Sequence, residues 1–219
     1  MEQFTEVPGD RAVSVLAYSA AAVGVAGVLT LGAMYAVEVP RGGPFVFGAI
    51  NDATGAVFNV LVIPVIMQVH KRLPKAPWTE PLKWVTVAAC AAGATSSALL
   101  VLKVLDFEPS TAVSVAAIVI QGVWFLMANN KLLHVEDYPK VLAKLGRFIG
   151  GALLIGLPVA GLGFLLPGPE WLRYAVMGVG FIAGASSWAA WPYWYFKAGR
   201  FLGHKRAAEA PRGASPEPA

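Results

Sequence analysis

The feature that most restricts this chain is a series of six long apolar stretches separated by short polar connections. The first runs from Ala12 to Val37 and contains no charged residue. Roughly 20 mostly apolar residues cross about 30 Å of hydrocarbon as an α-helix. The other stretches cover residues 44–69, 84–105, 111–128, 148–166 and 172–196. The pattern predicts an all-α, polytopic membrane protein: a bundle of six transmembrane helices forming a single domain over residues 1–203.

The composition excludes other classes of protein. Apolar residues make up 57% of the 219 residues and charged residues only 14%, whereas a soluble domain is usually about 45–50% apolar and about 25% charged. The single cysteine, Cys90, excludes a disulfide framework and a CxxC pair. Residues 204–219 are rich in Ala, Pro, Glu and Gly, which predicts a disordered cytoplasmic tail.

The basic residues predict how the chain is threaded. Fourteen of the 17 Lys and Arg residues lie in the two tails or in the connections that follow the second and fourth stretches. The opposite side carries only Arg41, Lys103 and Arg173. By the positive-inside rule, both the N and C termini are expected in the cytoplasm, with the protein in the cell (inner) membrane. The net charge of +4 therefore needs no nucleic acid to explain it, and the lipid bilayer is the expected partner.

The second stretch carries the candidate site. Gly48, Asp52, Gly55 and Asn59 are spaced by four, three and four residues, which places them on one helix stripe, with Asn51 beside it. The glycines allow another helix to approach closely, and the polar side chains need partners. Asp52 is expected roughly 10 Å below the outer boundary. An acid at such a depth is a functional candidate.

Two polar residues outside this stretch are candidate partners. Lys103, near the outer end of the third stretch, matches Asp52 in depth. An Asp52–Lys103 pair is either a structural ion pair that fixes helix register or part of a proton, cation or substrate site. Gln121 lies near the middle of the fourth stretch, where an amide commonly joins two helices by a hydrogen bond.

An aromatic block, Trp188 to Phe196, ends the sixth stretch next to Lys197 and Arg200. Its position favours an interfacial belt, in which Trp and Tyr lie at the headgroup level. The alternative is an aromatic-lined pocket for a flat or isoprenoid-like ligand, with a kink at Pro192.

No motif indicates a cofactor or a metal. The chain has no P-loop, GxGxxG, GxSxG or HExxH sequence, and no histidine lies inside a stretch, so we expect no cofactor and no metal site. Small residues offer faces for a homo- or hetero-oligomer. These are Ala20–Ala22 with Gly24 and Gly27, and Gly146 with Gly150, Gly151 and Gly156.

The closing segment from Trp191 to Leu202 resembles that of uncharacterised bacterial multi-helix membrane proteins, in which an Asp early in the second span and a Pro late in it recur. Asp52 and Pro64 match those positions. The resemblance implies the same threading and no particular activity. The sequence leaves three functions open: binding or translocation of a small solute, proton or lipid-like molecule; an enzyme acting on a lipid or isoprenoid; and a non-catalytic membrane subunit.

Overall fold

The computed structural model describes residues 7–165 and 169–204, and these residues form helices and connections without a strand. The six helices are α1 (Asp10–Ala33), α2 (Val46–His70), α3 (Thr79–Val101), α4 (Phe107–Leu132), α5 (Lys140–Leu165) and α6 (Glu170–Gly203). A π-helical turn, Met34–Glu38, and a short 3₁₀ turn, Val39–Arg41, extend α1. The all-helical prediction is confirmed for these residues. The predicted disordered tail lies outside the described residues except for His204.

Four of the described helices have the length and composition expected in a membrane. Within the described ranges, α1 to α4 are each long and apolar enough to cross a bilayer, with α1 counted through its extension as Asp10–Arg41. Large apolar side chains are exposed on their outer surfaces; examples are Val15, Leu29, Val60 and Val85. Apolar surfaces of this extent are suited to contact with lipid.

The helices form a ring in chain order. Each packs against the helix that precedes it and the helix that follows it, and α6 packs back against α1. Connections of four to eight residues make neighbouring helices antiparallel. A ring of six helices leaves space at its centre. This space is filled by side chains toward one end of the bundle and contains a cavity toward the other.

In the half of the ring that ends at the connections 71–78 and 133–139, aromatic side chains fill the centre. We call this group the aromatic cluster; it consists of Phe58, Trp124, Phe125, Trp191, Trp194 and Tyr195. The rings meet edge to face, as between Phe125 and Trp194, whose centroids are 4.9 Å apart. Trp194 Nε1 also donates a hydrogen bond to the Leu142 carbonyl at 3.1 Å, which joins α6 to α5. This half of the ring is therefore a packed core.

A buried ion pair joins the start of α1 to the end of α2. The guanidinium of Arg72 lies 2.5 Å from Asp10 Oδ2, with Asp10 buried and Arg72 largely so. Gln68 Nε2 donates to the other carboxylate oxygen, Asp10 Oδ1, at 2.8 Å. The Asp10 charge is compensated on both oxygens, which is the condition under which a buried carboxylate is tolerated.

The helix ends differ from the predicted stretches in two informative places. α3 ends at Val101, four residues before the predicted limit. α5 begins at Lys140, eight residues earlier than predicted. The first turns of α5 bury Leu142 and Ala143 while Lys144 stays exposed. An amphipathic turn of this kind is helical but not continuously apolar, so hydropathy alone does not detect it.

Candidate functional site

The half of the ring that ends at the connections 42–45 and 102–106 contains a partly open cavity of about 410 Å³. Its walls come from the half of α2 that follows the connection 42–45 and from the halves of α3 and α4 that meet at the connection 102–106. α1 and α6 complete it. Polar residues of the lining are Asn51, Asp52, Thr54, Asn59, Ser97, Ser110, Thr111, Ser114 and Gln121, and aromatic residues are Tyr35, Phe58, Phe107, Trp188 and Trp191.

The polar stripe of α2 turns toward neighbouring helices. A Cβ atom on Gly48 would lie 3.0 Å from the sulfur of Met34, and one on Gly55 would lie 3.9 Å from Ser97 Oγ. Asn59 lies in the same way against Gly93 of α3. The spacing of four, three and four residues therefore identified the inward face of α2.

Two amides form a directed chain of hydrogen bonds at the base of the cavity. Asn59 Nδ2 donates to the Gly55 carbonyl at 2.9 Å, and Gln121 Nε2 donates to Asn59 Oδ1 at 3.1 Å. Gln121 thus joins α4 to α2, as expected for an amide between helices. Gln121 Oε1 is buried and has no hydrogen-bond partner in the described part of the chain.

Asp52 is the one charged residue among the described residues that line the cavity. It is half-buried, and the hydrogen bonds and ion pairs of the described residues do not include its carboxylate. Asn51 also lines the cavity, and its carbonyl accepts a hydrogen bond from Thr54 Oγ1 at 2.8 Å. The carboxylate is therefore available to a ligand.

The expected pairing of Asp52 with Lys103 is not among the ion pairs within 4.0 Å that the described residues form. The reason is the early end of α3: Lys103 lies in the turn beyond the helix, with φ 58°, and is exposed. Its N–H bonds to the Leu100 carbonyl at 2.9 Å, and the Val104 N–H bonds to the Leu99 carbonyl at 2.9 Å. This pair of bonds is a Schellman motif, in which Lys103 serves as the left-handed residue.

The hydroxyl groups of α3 and α4 are a part of the site that the sequence analysis missed. Ser96 Oγ donates to Ser110 Oγ at 3.1 Å, which holds the two helices together where both are buried. Ser97, Thr111 and Ser114 line the cavity beside this contact. A single Ser or Thr in an apolar stretch does not indicate which face of the helix is directed inward, because such residues occur on both sides of these helices.

The prediction of an interfacial belt is wrong for most of the aromatic block. Tyr193 and Phe196 are exposed, as a belt requires, but Trp194 and Tyr195 are fully buried in the aromatic cluster. Trp188 and Trp191, with Pro192, instead form the floor of the cavity. Burial of this block depends on Phe58 and Phe125 of other helices, so it could not be inferred from α6 alone.

Most of the small residues proposed for an oligomer face are used inside the chain. A Cβ atom on Gly150 would lie 2.4 Å from the Leu126 nitrogen, and one on Gly156 would lie 2.8 Å from the Gly184 nitrogen. A Cβ atom on Gly24 would likewise lie 2.9 Å from Cγ of Pro192. An oligomer stays a prediction, and these residues provide packing between α1, α4, α5 and α6.

The described residues contain no group of three or more His, Cys, Asp or Glu side chains placed to hold a metal ion. His70 instead contacts Glu80, with 3.4 Å between Nε2 and Oε1. No protein-family model, curated protein or solved structure matches the chain. The cavity and its chemistry are therefore the basis for a functional proposal.

Proposed function

We propose that the chain is a six-span integral membrane protein with both termini in the cytoplasm, and that its outer cavity binds a small amphipathic solute. The cavity carries this proposal. Its volume of about 410 Å³ falls in the range of about 300–1,000 Å³ that is usual for small-molecule sites. The surface of its lining is mainly apolar and aromatic, as is usual for such sites, and the nine polar residues named above lie within it.

Helix packing supports the six-span topology. α5 and α6 pack against each other and against α4 and α1, so they belong to the same bundle as the four helices with clear membrane character. Two exposed residues mark the two ends of this bundle. Glu136 lies in the connection between α4 and α5, and Glu108 lies in the first turn of α4, at the opposite end.

Cysteine labelling tests the topology directly. In a Cys90→Ala background, Glu108→Cys should react with a membrane-impermeant maleimide added to intact cells, because that end of the bundle faces outward. Glu136→Cys should react only after the cells are permeabilised. The reverse pattern would overturn the orientation, and labelling of both positions from outside would overturn the number of spans.

Two observations favour a solute site over a non-catalytic subunit. A subunit predicts an Asp52 that is fully paired, and no ion pair of the described residues includes it. A subunit also predicts a small-residue face left for a partner, whereas Gly150 and Gly156 pack within the chain. An open cavity with an available carboxylate is the arrangement that a bound solute requires.

A matched pair of variants tests whether the cavity binds solutes. Ser114 lines the cavity, and Ala116, two residues later on α4, is exposed and lies outside the lining. Purified protein in zwitterionic nanodiscs is titrated with 4-phenylbutylamine, 4-phenylbutanol and 4-phenylbutanoate, with empty nanodiscs as the blank. At least one probe should bind at one site per chain. Ser114→Phe should weaken that binding at least tenfold because the ring occupies the cavity, and Ala116→Phe should leave it unchanged. If no probe binds, or if both variants bind as well as the wild type, the proposed function is wrong.

A further inference from the structure

We infer that the ligand of this cavity is an elongated organic cation: an ammonium group beside Asp52, an apolar body directed inward, and a hydrogen-bond donor at the far end beside Gln121. This inference rests on the proposed function and narrows it to one class of solute. Three observations support it: the charge of the lining, the depth that separates its polar groups, and an unpaired amide oxygen.

The charge of the lining favours a cation. Asp52 is the charged residue among the described lining residues, so the cavity as described carries one formal negative charge. Removing a carboxylate from water is costly unless an opposite charge or hydrogen-bond donors compensate it. A ligand with one ammonium group supplies both, whereas an anionic ligand would add a second negative charge to a site of low dielectric constant.

The depth of the polar groups favours an elongated molecule. Asp52 and Asn59 are seven residues apart on α2, which corresponds to roughly 10 Å along the helix axis. Gln121 lies at the level of Asn59, because their side chains are 3.1 Å apart. A small inorganic cation or a single ammonium group cannot contact both levels, but a molecule of about 10 Å can.

Gln121 is a lining residue with an unpaired acceptor, and the orientation of its amide follows from the hydrogen-bond chain. The Gly55 carbonyl can only accept, so Asn59 must direct Nδ2 toward it and Oδ1 toward Gln121. Gln121 must then direct Nε2 toward Asn59, which leaves Oε1 without a donor. The Gln121 residue is only 1% exposed. A buried acceptor without a partner is costly, and a ligand O–H or N–H would satisfy it.

The wall between these two levels is suited to an apolar body. The side chains along it are those of Val28, Ile118 and Phe58, and the floor of the cavity is formed by Trp188 and Trp191. Gly27, a lining residue of α1, lets α1 approach α2 closely at this level, since a Cβ atom there would lie 3.2 Å from Thr54 Oγ1.

The charge preference is tested with the three probes named above, which share a phenylbutyl body and differ in charge. In wild-type protein at pH 7, 4-phenylbutylamine should bind at least tenfold more tightly than 4-phenylbutanol, with 4-phenylbutanoate weakest, because a hydrogen bond to a charged group is the stronger kind. Asp52→Asn should abolish the preference for the amine. Asp106→Asn is the matched control, since Asp106 is exposed and lies outside the lining.

The far end is tested with 4-(4-aminobutyl)phenol, which adds one hydroxyl group to the amine probe. It should bind about threefold to tenfold more tightly than 4-phenylbutylamine, the gain expected of one hydrogen bond. Gln121→Met removes the acceptor at similar volume and should abolish this gain while 4-phenylbutylamine still binds.

The outcomes separate the two proposals. Binding of no probe would overturn the proposed function. Binding of the alcohol or the acid as tightly as the amine would overturn the cation while leaving a solute site in place. A phenol that gains nothing would overturn the contact with Gln121. Because the charge and phenol comparisons use wild-type protein, they decide the matter even if Asp52→Asn or Gln121→Met fails to accumulate.

Discussion

Lys103 adopts a left-handed backbone conformation, φ 58°, in the turn that ends α3. Residues with a Cβ atom pay roughly 1–2 kcal/mol for this conformation, and glycine does not. The side chain of Lys103 is exposed, and the ion pairs within 4.0 Å that the described residues form do not include it. The backbone position of this residue therefore determines its contribution to stability more than its charge does.

We expect Lys103→Gly to raise the free energy of unfolding by about 1 kcal/mol, since glycine adopts the left-handed conformation without strain. Stability is measured by unfolding the purified protein thermally in nanodiscs. Lys103→Ala is the control: it removes the charge but keeps the Cβ atom, and it should leave stability unchanged. Destabilisation by both variants would instead mean that the ammonium group is paired, as the sequence suggested.

α4 and α5 approach each other closely enough that only glycine fits at their crossing. A Cβ atom on Gly150 would lie 2.4 Å from the Leu126 nitrogen and 2.7 Å from the Gly122 carbonyl oxygen. Both are backbone atoms, so neither can move without moving its helix. Gly151, the next residue, has no atom within 4 Å of the same position. Two adjacent glycines of α5 thus differ completely in their role.

We expect Gly150→Ala to lower the free energy of unfolding by about 1–3 kcal/mol, the usual cost of adding a methyl group to a packed contact. Gly151→Ala should be neutral or stabilising by up to about 1 kcal/mol, because alanine favours a helix more than glycine does. Both values are read from unfolding in increasing SDS. Equal effects of the two substitutions would show that α4 and α5 do not cross at Gly150.

Features that follow from helical spacing were predictable, whereas the end of a helix and the packing of rings from several helices were not. Asp52 and Asn59 were found because helical spacing places them on one face of α2. The end of α3 was missed because residues 102–105 are as apolar as the helix before them and differ in hydrogen bonding, not in composition. The burial of Trp191 was missed because it follows from the rings of Phe58 and Phe125 on other helices.

The arrangement of the whole molecule depends on the contact that closes the ring between its first and last helices. Ser14 Oγ donates to the Gly199 carbonyl at 2.7 Å, and the Gly199 position lies against the ring of Tyr18. This contact holds Trp191 and Pro192 against α1 and α2, where they form the cavity floor. The site therefore depends on a pairing between opposite ends of the chain.

A disulfide tests this closure. A Cβ atom on Gly203 would lie 3.5 Å from the Cβ of Ser14, within the separation of about 3.5–4.5 Å that a disulfide requires. In a Cys90→Ala background, Ser14→Cys with Gly203→Cys should cross-link on mild oxidation and stabilise the protein by up to about 5 kcal/mol, because the bridge closes a loop of almost the whole chain. After proteolysis in the connection between α4 and α5, the fragments should stay joined until they are reduced. Val15→Cys with Gly203→Cys is the control, since Val15 is 64% exposed and no Val15 atom is among those nearest to a Cβ atom on Gly203. If this control pair cross-links as readily as the first, α1 and α6 do not pack in the register described, and the cavity floor is not held as we infer.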